Sequence, residues 1–182
     1  MKKLAGLVAV GCLLSAVSAQ WLETTISLPD SMSGIAAPCA AAYDPVTNTV
    51  YTGGLHVAAI AAIDGTSNEK VARVPLYRYW DWTRDFCLDS TRNKIYCMSL
   101  SQSVAVIDGY TNSVLSYIGT GWLPGSLCHN SVNDRIYCAA GYGVIVIDCA
   151  GDTVTRWITT SSRVAGISVA MPLATACTPP TR

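Results

Sequence analysis

The chain has 182 residues, of which 51% are hydrophobic and 13% are charged. This length suits one domain, or at most one and a half, and the composition excludes a disordered chain. Twelve basic residues balance twelve acidic ones, so electrostatics gives no reason to expect nucleic acid or an anionic membrane as partner. Nine tyrosines, five tryptophans and a single phenylalanine, together with many Val, Ile and Thr residues, favour strands over helices.

The first nineteen residues have the layout of a secretory signal peptide. Two lysines form a basic head, residues 4–14 form an apolar stretch and residues 17–19 form a small-residue cleavage site. A buried helix and a lipid anchor at Cys12 are the alternatives, and the short apolar stretch disfavours both. We therefore expect no membrane span and an exported product, periplasmic, on the cell surface or extracellular, whose mature chain begins near Gln20.

An internal repeat accounts for most of the remaining chain. Tyr51, Tyr96 and Tyr137 each follow a polar turn and lie 45 and 41 residues apart. An aspartate that ends an apolar run recurs with nearly the same spacing, at Asp64, Asp108 and Asp148. A period of about 40–45 residues with strand composition is typical of a β-propeller blade, and the helical 3.6-residue pattern is missing.

Each repeat predicts four short antiparallel strands. In the second copy we expect them near residues 84–88, 94–99, 103–107 and 113–118. Asp108-Gly109 after an apolar run is a hairpin signal, because glycine adopts positive φ without steric cost. The third copy moves its glycine two places along the chain, which predicts a different turn there.

The predicted fold is therefore all-β, with about three complete propeller blades and partial strands at both ends. The repeats lie near residues 35–76, 84–119 and 125–159, within a partial propeller of residues 20–170 that precedes an irregular, Pro- and Thr-rich tail, residues 171–182. Because propellers close with about four to eight blades, this chain looks truncated relative to a closed ring. Its open edges favour pairing, so self-association and a solenoid-like stack are the alternatives.

The repeats resemble the YVTN-type (YncE-like) β-propeller repeat family. The residues that carry the resemblance are Asp44-Pro45, Asn48–Tyr51, Asn93–Cys97, Val104–Gly109 and Asp134–Cys138. The resemblance covers roughly residues 33–159 and implies an exported or surface protein of propeller fold, with its role left open. A WD-type propeller matches less well, because the single Trp-Asp pair does not recur.

Two pairs of cysteines recur in register. Cys87 and Cys97 lie ten residues apart, as do Cys128 and Cys138, and each pair brackets a predicted hairpin turn. Directly opposite Cα atoms of antiparallel strands lie about 4.5–5.5 Å apart, within disulfide range. Disulfides Cys87–Cys97 and Cys128–Cys138 are thus one interpretation, and buried free thiols are the other. No C-x-x-C occurs and Cys128 and His129 point to opposite faces, so we expect no metal and no cofactor.

An unusual aromatic stretch joins the first blade to the second. Its rings and arginines suit stacking on a sugar, peptide or base, whereas Trp122 at a similar crossover favours packing between blades. The ligand-binding candidates are Tyr77, Arg78, Tyr79, Trp80, Trp82 and Arg84.

No catalytic constellation stands out, so we assign no catalytic residue. The recurring aspartates suit either a calcium ring or their own turns, and the turn role is sufficient. His56 and His129 occupy non-equivalent places of the repeat, and two unlinked histidines with no placed nucleophile give no basis for a hydrolase. The sequence has neither a Gly-rich phosphate loop nor a G-x-S-x-G motif.

The predicted function is an exported, non-catalytic repeat module for binding, surface display or scaffolding. Its expected partner is an unknown protein or glycan, with self-association through open blade edges as a further possibility. The alternative is a fragment of a propeller-type enzyme or redox-enzyme subunit whose active site lies outside this chain, since a fold does not imply a function.

Overall fold

The computed structural model describes residue 35 and residues 37–55, 57–77, 82–99 and 101–164. The expected signal peptide and the Pro- and Thr-rich tail lie outside the described residues. The part of the chain that is described contains no helix with the length and apolarity to cross a membrane.

The described residues form twelve strands in three sheets of four antiparallel strands each, which confirms the predicted all-β fold. Within each sheet the strands pair in chain order. Blade 1 contains β1 (Pro38–Asp44), β2 (Thr49–Gly54), β3 (Ala59–Asp64) and β4 (Lys70–Pro75). Blade 2 contains β5 (Thr83–Asp89), β6 (Lys94–Ser99), β7 (Ser103–Asp108) and β8 (Ser113–Gly119). Blade 3 contains β9 (Pro124–Asn130), β10 (Arg135–Ala140), β11 (Gly143–Asp148) and β12 (Thr153–Thr159).

The blades stack face to face, and burial follows from that stacking. Residues 104–107 of β7 are completely buried, because blades 1 and 3 cover both faces of this sheet. Strand β8 alternates between exposed and more buried positions, as expected at the outer edge of a blade. A continuous apolar run and an alternating run thus mark an inner and an outer strand of the same sheet.

Two hydrophobic cores join the blades. One lies between blades 1 and 2 and includes Tyr51, Ile60 and Ile95. The other lies between blades 2 and 3 and includes Tyr96 and Ile136. We call the face that a blade turns towards the next blade in sequence its forward face, and the opposite one its backward face. The recurring tyrosine therefore lies on the forward face of blades 1 and 2.

The turns that join first to second strands and third to fourth strands obtain positive φ from asparagine and aspartate rather than from glycine. These side chains tolerate the left-handed region better than most. The residues concerned, with φ between 50° and 59°, are Asn48, Asn68, Asn93, Asn112, Asp134 and Asp152.

The expected reason for the Asp-Gly turns is consequently wrong. Gly65 and Gly109 lie outside the left-handed region. A Cβ atom at Gly65 would lie 2.6 Å from Oδ1 of Asn48, and one at Gly109 would lie 2.7 Å from the side-chain amide of Asn93. Glycine is required there because the neighbouring turn approaches too closely for any side chain.

Candidate functional site

The stack of blades has two ends with different chemistry. At the turn end, the connections between first and second strands lie beside those between third and fourth strands; they comprise residues 44–49, 64–70, 89–94, 108–113, 130–135 and 148–153. At the crossover end, each fourth strand leads to the next blade, beside the turns that join second and third strands.

Tyrosine hydroxyls bond neighbouring blades together at the turn end. The Tyr51 hydroxyl donates to Oδ1 of Asn112 at 2.7 Å, and the Tyr96 hydroxyl donates to Oδ1 of Asp152 at 2.6 Å. Burial, followed by the charges of Asp44 and Asp108, raises the pKa of Tyr51 to about 12. We call these two contacts the interblade tyrosine bonds, and they explain why the tyrosine and the turn recur together.

An ionic network extends the contact between blades 2 and 3. Arg92 donates to both carboxylate oxygens of Asp134, at 2.7 and 2.6 Å, and to Asp89 at 3.0 Å. Lys94 donates to Asp152 at 2.7 Å. The Arg92 guanidinium holds the pKa of Asp134 below its usual range, mainly through these hydrogen bonds.

His129, Asp134 and Cys149 come together beside this network. One possible ligand atom from each residue lies within 4.8 Å of the others. The Nε2 atom of His129 is buried and has no hydrogen-bond partner. Burial, followed by the charges of Asp89 and Asp134, raises the pKa of the Cys149 thiol to about 11. Sequence reasoning missed this cluster, although the displaced glycine of the third repeat was a signal that this turn differs.

The recurring aspartates serve their own turns. Oδ1 of Asp64 accepts the backbone N–H groups of Thr66 and Ser67 at 2.9 and 2.7 Å. Asp108 accepts two N–H groups of its turn in the same way, and Asp148 accepts one from Gly151. The backbone bonds from Ser67 and Thr66 lower the pKa of Asp64. These contacts support the turn role over a calcium ring.

The register separates the cysteines that sequence spacing had paired in blade 2. Cys87 lies opposite Tyr96, whereas Cys97 lies opposite Phe86. Because neighbouring residues of a strand point to opposite faces, the Cys87 side chain points forward and the Cys97 side chain points backward. No disulfide joins these two residues in the structure.

The second pair is separated for the same reason. Cys128 lies opposite Tyr137, and Cys138 lies opposite Leu127, which faces blade 2. The six described cysteines, which exclude Cys12 and Cys177, are free thiols. Burial is the main cause that raises the pKa of Cys87 and that of Cys138 to about 12 each.

Exposed aromatic rings follow the crossover end. Tyr77 is 82% exposed, its ring centroid lies 6.2 Å from that of Tyr117, and its backbone N–H donates to the Tyr117 hydroxyl at 2.8 Å. Trp122 meets Tyr142 edge to face, also at 6.2 Å. We call these residues and the exposed Trp157 the aromatic strip. A groove of about 360 Å³ beside it is lined by Tyr77, Ser101, Gln102, Ser103, Tyr117 and Gly119.

The predicted ligand-binding residues divide between this strip and other places. Tyr77 belongs to the strip. Trp82 is half-buried just before β5, and Arg84 is exposed on β5. The remaining candidates, Arg78, Tyr79 and Trp80, lie outside the described residues.

Sequence reasoning missed part of the strip that a repeat signal could have found. Tyr117 pairs with Ala105, and Trp157 pairs with Ile145 at the equivalent place of blade 3. An aromatic residue therefore recurs at one position of the fourth strand in blades 2 and 3, where blade 1 has Arg73.

Comparison with known proteins identifies the fold and no sequence family. No family model matches the chain, and no curated protein matches it. Hydrazine synthase of Kuenenia stuttgartiensis superimposes with a TM-score of 0.65 at 16% identity, covering 81% of this chain and 42% of that one. The structure of U3-55K superimposes with a TM-score of 0.63 at 12% identity, covering 71% of this chain and 42% of that one. Both are β-propeller-type proteins, so the three sheets are propeller-like blades, and the chain spans less than half the length of either neighbour.

Proposed function

We propose that the chain is an exported, non-catalytic module of the YVTN-type propeller family that binds a glycan through the aromatic strip. The observation that carries this proposal is the set of solvent-exposed rings at one end of the stack. Large exposed aromatic side chains that do not close a core are typical of binding surfaces.

The composition of the groove favours a glycan. A pyranose ring offers an apolar C–H face to an aromatic ring and hydroxyl groups to its surroundings. Tyr77 and Tyr117 supply tilted rings at 60° to each other, and the groove adds the hydroxyls of Ser101 and Ser103 and the amide of Gln102. Few polar groups around aromatic walls are the usual composition of a small-ligand site.

Glycan binding is tested with a panel of oligosaccharides and matched alanine variants. We expect Tyr117→Ala and Trp122→Ala to weaken binding of any oligosaccharide that the wild type retains. Tyr110→Ala is the control, because Tyr110 is 67% exposed at the turn end. An equal loss of oligosaccharide affinity in all three variants, or a wild type that binds no glycan, would contradict the proposal. If the wild type binds a protein and no glycan, the proposed ligand is wrong.

Export rests on the sequence of the first nineteen residues. N-terminal sequencing of protein recovered outside the cytoplasm is expected to begin near Gln20. A chain that retains its first residues in the cytoplasm would refute export and leave glycan binding to its own test.

A fragment of a propeller-type enzyme remains a second candidate. The observation in its favour is that the chain spans 42% of the hydrazine synthase chain. Their 16% identity concerns the fold alone, so we transfer no active-site residue. Turnover that appears only when further blades are joined to this chain would favour this candidate.

A second copy of this chain is the partner we propose for the open faces of the stack. Tyr137 lies on the forward face of blade 3, at the place of Tyr51 and Tyr96. Asn68 in blade 1 corresponds to Asn112 and Asp152, which accept the interblade tyrosine bonds, and it is exposed. If the forward face of blade 3 in each copy packs against the backward face of blade 1 in the other, Tyr137 of each copy can reach Asn68 of the other. Two such contacts close a ring of about six blades, within the range of propellers.

Sedimentation velocity over a range of concentrations tests this association. Ile158 pairs with Val144 on the same forward face and is 44% exposed. We expect a wild-type dimer, a monomeric Ile158→Lys variant, and no change in the control Leu115→Lys on the outer strand of blade 2. A wild type that is monomeric at every concentration would refute the association.

A further inference from the structure

We propose that His129, Asp134 and Cys149 bind one divalent metal ion of the zinc type at the turn end. Their ligand atoms all lie within 4.8 Å of one another. Around a tetrahedral zinc ion with bonds of about 2.0–2.3 Å, ligand atoms lie roughly 3–4 Å apart. Closing the site therefore needs side-chain shifts of about 1 Å, which rotation of side chains at a turn can supply.

The imidazole of His129 supplies the second observation. Its Nε2 atom is buried without a hydrogen-bond partner. A buried polar atom left unsatisfied costs about 1–3 kcal/mol, and most such atoms in native proteins have a partner. Coordination of a metal ion through Nε2 would satisfy this nitrogen.

The third repeat departs from the other two at each of these three positions. In blades 1 and 2, two of these positions have a structural role: one holds an asparagine that contacts the neighbouring turn, and the other holds a glycine that leaves space for this asparagine. In blade 3 these become Asp134 and Cys149, and a residue that is Tyr43 or Leu88 in the other blades becomes His129. The residues that they replace in blades 1 and 2 are Tyr43, Asn48, Gly65, Leu88, Asn93 and Gly109.

This departure weakens a local backbone bond. The N–H groups of Gly65 and Gly109 donate to the facing asparagine carbonyls at 2.8 Å in both blades. The N–H of Cys149 donates to the Asp134 carbonyl at 3.3 Å. The side chain introduced at position 149 therefore spreads the turn, and it is at the spread turn that the three ligand atoms meet.

The charges around the cluster suit a divalent cation. Asp89 and Asp134 carry two negative charges, and Arg92, bonded to both, carries one positive charge. Ionisation of the Cys149 thiol on metal binding brings the net charge to minus two, which the ion neutralises. Arg92 occupies one lone-pair position of each Asp134 oxygen, so each oxygen keeps another for a metal.

The donor set selects among metals. A thiolate and an imidazole with one carboxylate suit zinc and its spectroscopic substitute cobalt, whereas calcium and magnesium prefer oxygen ligands alone. Three protein ligands leave the fourth tetrahedral position for water.

Cobalt(II) titration of the reduced, chelator-treated full chain tests the site. We expect one equivalent of Co²⁺ to bind with a thiolate-to-cobalt charge-transfer band in the near ultraviolet, and Zn²⁺ to displace it. The Cys149→Ser variant is expected to lose that band. In His129→Gln we expect affinity to fall by more than the roughly 10–100-fold that loss of an outer-shell partner costs. Cys128→Ser is the matched control, because Cys128 neighbours His129 but faces the other side of the sheet.

A wild type without the charge-transfer band would overturn the proposal whatever the variants do. So would a Cys149→Ser variant that folds, by circular dichroism, and keeps the band. The result is independent of glycan binding, since the aromatic strip lies at the other end of the stack.

Discussion

Replacing Tyr96 with phenylalanine measures what an interblade tyrosine bond contributes. The hydroxyl donates to the Asp152 carboxylate at 2.6 Å from a side chain that is completely buried. Hydrogen bonds to charged groups stabilise by about 1.5–3 kcal/mol. Asp152 keeps its contact with Lys94, so the loss of the hydroxyl leaves no carboxylate without a partner. We therefore expect Y96F to lower the free energy of unfolding by about 1.5–3 kcal/mol.

The repeat provides two matched controls for this prediction. Tyr51 makes the same bond to the neutral amide of Asn112 at 2.7 Å, so Y51F is expected to cost about 0.5–1.5 kcal/mol. The Tyr137 hydroxyl instead accepts a bond from Asn133 at the surface, and Y137F is expected to cost less than about 0.5 kcal/mol in the monomer.

Urea denaturation of the three variants at neutral pH gives the ranking directly. The expected order of cost is Y96F above Y51F above Y137F, with unchanged m-values. A double-mutant cycle between Y96F and Asp152→Asn is expected to show a coupling of at least about 0.5 kcal/mol. Equal costs at all three positions would refute the assignment of the tyrosines to interblade bonds. If the cost of Y137F rises with protein concentration, the tyrosine acts between copies.

Three further predictions follow from the turns and the cysteines. Gly109→Ala is expected to lower the unfolding free energy by about 1–3 kcal/mol through its clash with Asn93, whereas Gly151→Ala, whose Cβ would meet its nearest atom at 3.4 Å, is expected to change it by less than about 1 kcal/mol; equal effects would contradict the close-approach argument. The folded pKa of Asp64 is lowered from 3.8, so the stability that its carboxylate contributes is present above pH 3.8 and is lost as pH falls through the folded pKa. Urea titrations are expected to find Asp64→Asn less stable than wild type near neutral pH, with a difference that shrinks as pH falls below 3.8; a constant difference would contradict this. Alkylation in denaturant is expected to label as many cysteines before reduction as after it, and added labelling after reduction would show a disulfide.

The strand positions were predictable because the repeat markers fix them. The expected strand at residues 94–99 is found at Lys94–Ser99, and that at 103–107 extends by one residue to Asp108. The tyrosine and the aspartate define where each hairpin turns, and the apolar run between them must span one sheet. Because these two markers fix both ends of the apolar run, the pairing register of the strands has little freedom.

The cysteine pairs show where sequence spacing alone failed. Asp89 pairs with Lys94, and the register continues unbroken to the pair Phe86–Cys97, so directly opposite residues in this part of the hairpin are separated by an odd number. Cys87 and Cys97 are separated by ten, an even number, and must lie on opposite faces. Whether opposite residues are separated by an odd or an even number depends on the exact length of the turn. The composition of a turn does not determine its length to within one residue.

The candidate metal cluster lay beyond sequence reasoning for a different physical reason. His129 and Cys149 are twenty residues apart and meet only because the first-second and third-fourth turns of one blade lie side by side. In blades 1 and 2 an asparagine side chain packs against a glycine where these two turns meet, and neither residue can bind a metal ion there as a thiolate or an imidazole can. The metal ion proposed here would offset the weaker backbone bond at Cys149. The residues that recur in every repeat therefore predict the fold. The residues that differ in one repeat, such as His129 and Cys149, are the first place to test for a function separate from the fold.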